Sequence, residues 1–163
     1  MKRNIFILLI VASILIVFST LIFVSEAIDE KEDYTKDIED FKKAICINPD
    51  DFSAYNNLGI AYNNLGLYKD AIEACKQAIR IDPDYANAYN NLGIAYNNLG
   101  LYKDAIEAYK QAIRIDPDYA DAYLNLGISY LKIGDKSSAI NEYNILKELD
   151  IDLSIELFDL IWE

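Results

Sequence analysis

Apolar residues fall into two patterns along the chain. From Ile5 to Val24 they run on almost without a break, interrupted only by Ser13, Ser19 and Thr20. Beyond residue 50 they recur at helical spacing, in short alternating blocks. Tyr55, Leu58, Ala61 and Tyr62 mark one helix face, and Tyr68, Ala71, Ile72, Cys75, Ala78 and Ile79 mark a second. Such steps of three and four place apolar side chains on one side of a helix. Gly66 separates the two blocks as a helix stop. Asp82-Pro83-Asp84 ends the second, because the residue before proline is driven out of the helical region. Asp84 is then placed to cap the next helix.

The continuous run predicts a membrane-spanning helix. A helix from Ile5 to Val24 rises about 30 Å, the thickness of the bilayer hydrocarbon core. Lys2 and Arg3 precede it, and an acidic stretch from Glu26 to Asp33 follows. Positive flanks stay cytoplasmic, so the remainder is expected on the extracytoplasmic side. Residues 1–27 are read as an uncleaved anchor, since the apolar part of a secretory signal peptide usually spans only roughly 7–15 residues. The rival reading is a long signal peptide cut after Ala27, which would release a secreted product.

Self-comparison shows a period of 34 residues: 52–85 and 86–119 differ only at Phe52/Ala86, Ser53/Asn87 and Cys75/Tyr109, and 120–153 is a diverged third copy. A period of this length means stacked supersecondary units. The units resemble the tetratricopeptide repeat. Leu58-Gly59, Tyr62, Ala71, Ala78 and Pro83 occupy its signature positions in the first unit, and Leu92-Gly93, Tyr96, Ala105, Tyr109, Ala112 and Pro117 do so in the second. In the third, Leu126-Gly127, Tyr130, Ala139 and Tyr143 match, but Leu146 and Ile151 replace the later Ala and Pro. Upstream, 28–51 reads as an acidic linker and a half repeat, with Tyr34, Phe41, Ala44, Ile45, Ile47 and Pro49 in register and Phe18 to Lys31 as a candidate first helix.

The resemblance implies an all-α fold, an α-solenoid of helix-turn-helix units whose first helices line a concave groove. Each unit contacts only its neighbours, so the last one needs a cover. Residues 154–163 are expected to supply it as a capping helix, with Leu153, Leu157, Leu160 and Ile161 over unit three. Carried over from the family, the groove positions are Ser53, Asn56, Asn57, Ile60, Asn63 and Asn64, then Asn87, Asn90, Asn91, Ile94, Asn97 and Asn98. Unit three offers Asp121, Leu124, Asn125, Ile128, Leu131 and Lys132. Asn is a poor helix former, at about 0.5 kcal/mol or more against Ala. Its amide both donates and accepts. Asn57, Asn91 and Asn125 are therefore candidates to clasp the backbone of an extended peptide, as comparable asparagines do in some family members, with Ile60, Ile94 and Ile128 as apolar contacts. The competing reading is a neutral solvated face, which suits Asn63, Asn64, Asn97 and Asn98 better. Lys132 alone is basic among these positions, which speaks against a basic clamp for a C-terminal carboxylate.

Charge narrows the partner. The chain carries 15 Lys+Arg against 27 Asp+Glu, a formal net charge of −12. Nucleic-acid binders need a positive footprint, so that class is disfavoured. A neutral or basic protein segment, or a second copy of the chain, fits better. Two cysteines, Cys46 and Cys75, give neither a disulfide framework nor a CxxC pair. The chain has no His, no phosphate loop and no nucleophile motif, and its Asp-Pro-Asp turns lack the spacing of a calcium loop. The expectation is therefore a non-enzymatic binding module without cofactor or metal. A self-assembling structural protein and an accessory subunit of a membrane complex are the alternatives.

The anchor has a direct check. Membranes carrying the native chain are expected to keep it through carbonate extraction, while protease added to the extracytoplasmic side digests the repeats. A soluble product beginning at Ile28 would show cleavage instead.

Overall fold

In the computed structural model, residues 34–163 are described, and 37–163 form one compact unit. The described part of α1 covers 34–47. Six helices follow in pairs: α2 (Phe52–Asn64) with α3 (Tyr68–Ile81), α4 (Ala86–Asn98) with α5 (Tyr102–Ile115), and α6 (Ala120–Lys132) with α7 (Lys136–Leu149). A last helix, α8, spans Ile151–Trp162. Among the described residues there are no strands, and no helix is long and apolar enough to cross a membrane. The expected anchor, Ile5–Val24, and the candidate helix over Phe18–Lys31 lie outside the described residues.

Each pair turns at a glycine. Gly66, Gly100 and Gly134 have φ of 76°, 76° and 81°, a left-handed conformation that any side chain would strain. The Leu67 amide donates to the Tyr62 carbonyl at 2.8 Å and Gly66 to Asn63 at 3.0 Å, which closes the end of α2. Between units the chain turns on Asp82 and Asp116. Their carboxylates accept from the amides of Asp84 at 3.1 Å and Asp118 at 3.2 Å. The cap expected of Asp84 is thus absent. Tyr85 stands at the cap position of α4 and makes no side-chain bond there, whereas Asp51 caps α2 through the Ala54 amide at 2.9 Å. Asp84 lies one residue too early to reach the first free amides.

Small residues set how closely the helices approach. Ala71, Cys75 and Ala78 are fully enclosed, as are Ala105, Tyr109 and Ala112 in the next unit. A Cβ on Gly59 would meet the Cys75 sulfur at 2.7 Å, and one on Gly93 would meet the Tyr109 ring, with Cδ1 at 2.7 Å. Each first helix also sends a leucine onto the second helix before it. Leu92 packs with Ala71, Ile72 and Cys75, and Leu126 with Ala105, Ile106 and Tyr109. Burying one such side chain stabilises by about 1.5–3 kcal/mol.

The last helix repeats this arrangement. Leu157 is fully buried in a cluster with Ala139 and Leu146, as the earlier leucines sit in theirs. Counted from the helix start, it stands where Leu58, Leu92 and Leu126 stand. α8 is thus the first helix of a fourth unit that has no second helix among the described residues, packed on both α6 and α7. It begins at Ile151, inside the segment assigned by sequence to unit three, and Asp150 caps it through the amides of Asp152 and Leu153, both at 3.0 Å. The earlier start rotates its buried stripe. Ser154, Leu157 and Ile161 are buried, whereas Leu160, expected to cover unit three, is 43% exposed.

Tyr143 is displaced as well. Over Gly127 the neighbour is Leu157 of α8, whose Cδ2 lies 2.6 Å from a would-be Cβ. Tyr143 instead joins Phe158 and Trp162 in an aromatic group, at 5.7 Å from each ring.

The rigid ring over Gly93 gives a testable asymmetry. Gly93→Ala is expected to lower the thermal midpoint by several degrees. Overpacking costs about 1–3 kcal/mol, against a helix-propensity gain of about 1 kcal/mol, and an enclosed tyrosine ring cannot yield. In a chain already carrying Tyr109→Cys, the residue unit one has at this position, Gly93→Ala should cost less, because the rigid ring is gone. A midpoint that holds or rises in Gly93→Ala would contradict the packing described.

Candidate functional site

The first helices α2, α4, α6 and α8 stack side by side, and asparagines bridge α2 to α4 and α4 to α6. The Asn91 Nδ2 donates to the Asn56 Oδ1 at 2.9 Å, and the Asn125 Nδ2 to the Asn90 Oδ1 at 3.2 Å. A third bond of the same kind runs from Asn98 to Asn63 at 3.2 Å. Every donor lies 35 residues after its acceptor, one repeat plus one position. Asn90 also donates toward the Tyr119 hydroxyl at 3.4 Å. Each such bond is worth about 1 kcal/mol net, enough to offset the helix-propensity cost of the asparagine that makes it.

This ladder divides the predicted site residues into two groups. Asn56 and Asn90 are only 3% and 5% exposed, turned into the seam between helices, with their carbonyls already engaged. Asn57, Ile60, Asn64, Asn98 and Lys132 are exposed on the same face, and Asn91, Ile94, Asn125 and Ile128 are half-buried along it. Asn57 makes no side-chain hydrogen bond among the described residues. Asn91 and Asn125 each commit one donor to the ladder and keep an amide hydrogen and a carbonyl for another partner. The bridging was not foreseen from sequence. The signal was there in the adjacent pairs Asn56-Asn57 and Asn90-Asn91, which a 34-residue stagger brings into register.

Away from this face, two open crevices recur at the repeat spacing. One of about 220 Å³ is lined by residues including Tyr55, Tyr62, Glu73 and Ala74. Its equivalent of about 260 Å³ lies against Tyr89, Tyr96, Glu107 and Ala108. In unit three Glu142 stands where Ala74 and Ala108 stand. Burial pushes its carboxyl up to about 7, with Lys110 opposing. Cys75 is enclosed and its thiol is pushed up to about 12, which leaves it a packing residue. Cys46 is exposed. Among the described residues no group of His, Cys, Asp and Glu is gathered to hold a metal.

Comparison with known proteins agrees with this geometry. A family model described as TPR repeat matches residues 30–66 and 95–134. Models described as tetratricopeptide repeat match 52–85, 74–107 and 121–150. The chain belongs to the tetratricopeptide-repeat family. Among curated proteins none matches it. A crystal structure of MamA is 28% identical, covers 81% of this chain and 88% of its own, and superposes with a TM-score of 0.69. MamA from residue 41 onward of Desulfovibrio magneticus RS-1 is 26% identical over 74% of this chain and 68% of its own, with a TM-score of 0.68. TTC0263, a thermophilic TPR protein of Thermus thermophilus, shares the fold with a TM-score of 0.70 at 24% identity, covering 77% of this chain and 72% of its own. Repeats and neighbours together mark a protein–protein interaction module.

Glu142 makes stability pH-dependent. Its folded pKa of about 7 lies above the ordinary 4.5, so its favourable contribution is complete below pH 4.5 and is lost as pH rises through 7. Glu142→Gln is expected to raise the thermal midpoint at about pH 8 and to leave it nearly unchanged at about pH 4, on either side of that window. After allowance for solvent screening the gain is about 1–2 kcal/mol. Equal shifts at both pH values would contradict this.

Proposed function

We propose that the chain is a non-enzymatic, membrane-tethered adaptor that binds an extended segment of another protein along the face of its first helices. The observation that carries this is the amide ladder. It holds Asn91 and Asn125, each with an unused amide hydrogen and carbonyl, and this supports a row that Asn57 continues on α2 beside Ile60, Ile94 and Ile128. A row of preorganised amides suits a peptide backbone, whose own donors and acceptors need partners once water is excluded. Ile5 to Val24 tethers the module, and Lys2 and Arg3 keep the N-terminus cytoplasmic, so the repeats work on the extracytoplasmic side. Cleavage near Ala27 would leave the same module secreted. Carboxylates at helix caps and on exposed faces support binding rather than catalysis.

One observation favours end-to-end assembly of copies as a second reading: Ile155, Phe158, Leu160 and Trp162 leave apolar surface on the terminal helix. Phe158, however, stands where Gly59, Gly93 and Gly127 stand in the other first helices. A second helix could not approach α8 as closely as α3 approaches α2, so in-register continuation of the solenoid by another copy is blocked.

Asn57 carries the cleanest test, because its amide is outside the ladder. With the full chain as bait for partners cross-linked in native membranes, Asn57→Ala should weaken recovery of the partner. The affinity should fall by about 1–3 kcal/mol, with an unchanged thermal midpoint. Asn91→Ala should lower both, since it also strands the buried Asn56 carbonyl. Undiminished affinity in Asn57→Ala would end the clasp reading.

A further inference from the structure

The register of α8 extends the ladder face by a fourth helix. Aligned on Leu157, the positions of Asn57, Asn91 and Asn125 continue to Glu156, and those of Ile60, Ile94 and Ile128 continue to Asp159. Asp152 and Glu163 complete the row, at steps of four, three and four along the helix. All four are exposed, and none makes an ion pair among the described residues. Between them, at the positions of Leu124 and Leu131, stand Ile155 and Trp162, 53% and 49% exposed. The face thus changes from amides on α2 and α4, through a mixed surface on α6, to carboxylates with apolar side chains on α8.

We infer that this end of the face selects its partner: α8 takes the part of the bound segment that carries basic side chains, with an apolar residue against Ile155 and Trp162. The occupant follows from charge complementarity. Four unpaired carboxylates on one short helix, on a chain of formal net charge −12, repel acidic segments and a second copy of the acidic face alike. A lysine or arginine of the partner sets its charge against these carboxylates and its apolar stem along Ile155 and the exposed edge of Trp162, whose ring already carries the chain's own Lys136, with Nζ 5.6 Å from the centroid. Stacking on Phe158, with ring centroids 4.4 Å apart, and the Lys136 ammonium over the ring hold Trp162 in place. The inference rests on the groove reading above and adds the chemistry of the partner.

Trp162 is the only tryptophan of the chain, so its emission reports on this site directly. The test titrates the full chain with synthetic extended peptides that differ only in carrying Lys, Gln or Glu at the same positions. The Lys peptide is expected to shift the emission and to bind at least about ten-fold more tightly than the Glu peptide, with the difference shrinking as salt is added. A variant carrying Asp152→Asn, Glu156→Gln, Asp159→Asn and Glu163→Gln should lose that preference while keeping its helical content and thermal midpoint. Equal response to the Lys and Glu peptides, absence of any response included, overturns the inference. Retained preference in the neutralised variant overturns it too. The groove reading fails separately: Lys-peptide affinity that drops on neutralising α8 yet is untouched by Asn57→Ala would leave the acidic end selective without the amide row.

Discussion

Everything in this fold depends on one contact, the leucine that each first helix sets onto the second helix of the unit before. Leu92 on Ala71 and Cys75, Leu126 on Ala105 and Tyr109, and Leu157 on Ala139 repeat a single junction. A lone helix pair cannot cover its own apolar face, so the junction is what makes the pairs stack. It also fixes their rotation. Because the same side of every first helix points back along the stack, another side of all of them is left together on one face.

That shared face is where the proposed function rests on the fold. Asparagine is a weak helix former, and a solvated surface would be better served by Glu or Lys. Here the amides join one first helix to the next, from Asn91 to Asn56 and from Asn125 to Asn90. The bonds hold the row at a fixed spacing, so that a partner bound there as proposed would need little further ordering. On the proposed reading, structural and recognition roles fall to neighbouring residues of the same type. One asparagine of each pair is buried in the seam, and the next faces outward or lies along the edge.

Much of this was legible in the sequence, and the misses share a cause. The 34-residue period, the glycine stops at Gly66, Gly100 and Gly134, and the enclosed alanines follow from local rules of spacing and turn geometry. Asp84 is the cap that Asp-Pro-Asp suggests, and only the path of the turn shows that Asp82 accepts the hydrogen bond while Asp84 donates its amide to it. At the C-terminal end the sequence left the period. Asp150 begins α8 early and brings Ser154 inward in place of Leu160. Tyr143 keeps its signature position but loses its glycine to Leu157, a contact made by a helix that starts ahead of the 34-residue period. Inter-helix amide bonds are tertiary, so composition alone showed an excess of asparagine without its reason.

The central claim is that partners are held on the first helices. Hydrogen–deuterium exchange of the full chain, alone and with its captured partner, tests this most directly. The account predicts added protection in α2, α4, α6 and α8, with α3, α5 and α7 unchanged. Protection confined to the second helices, with α2 and α4 exchanging as in the free chain, would contradict it.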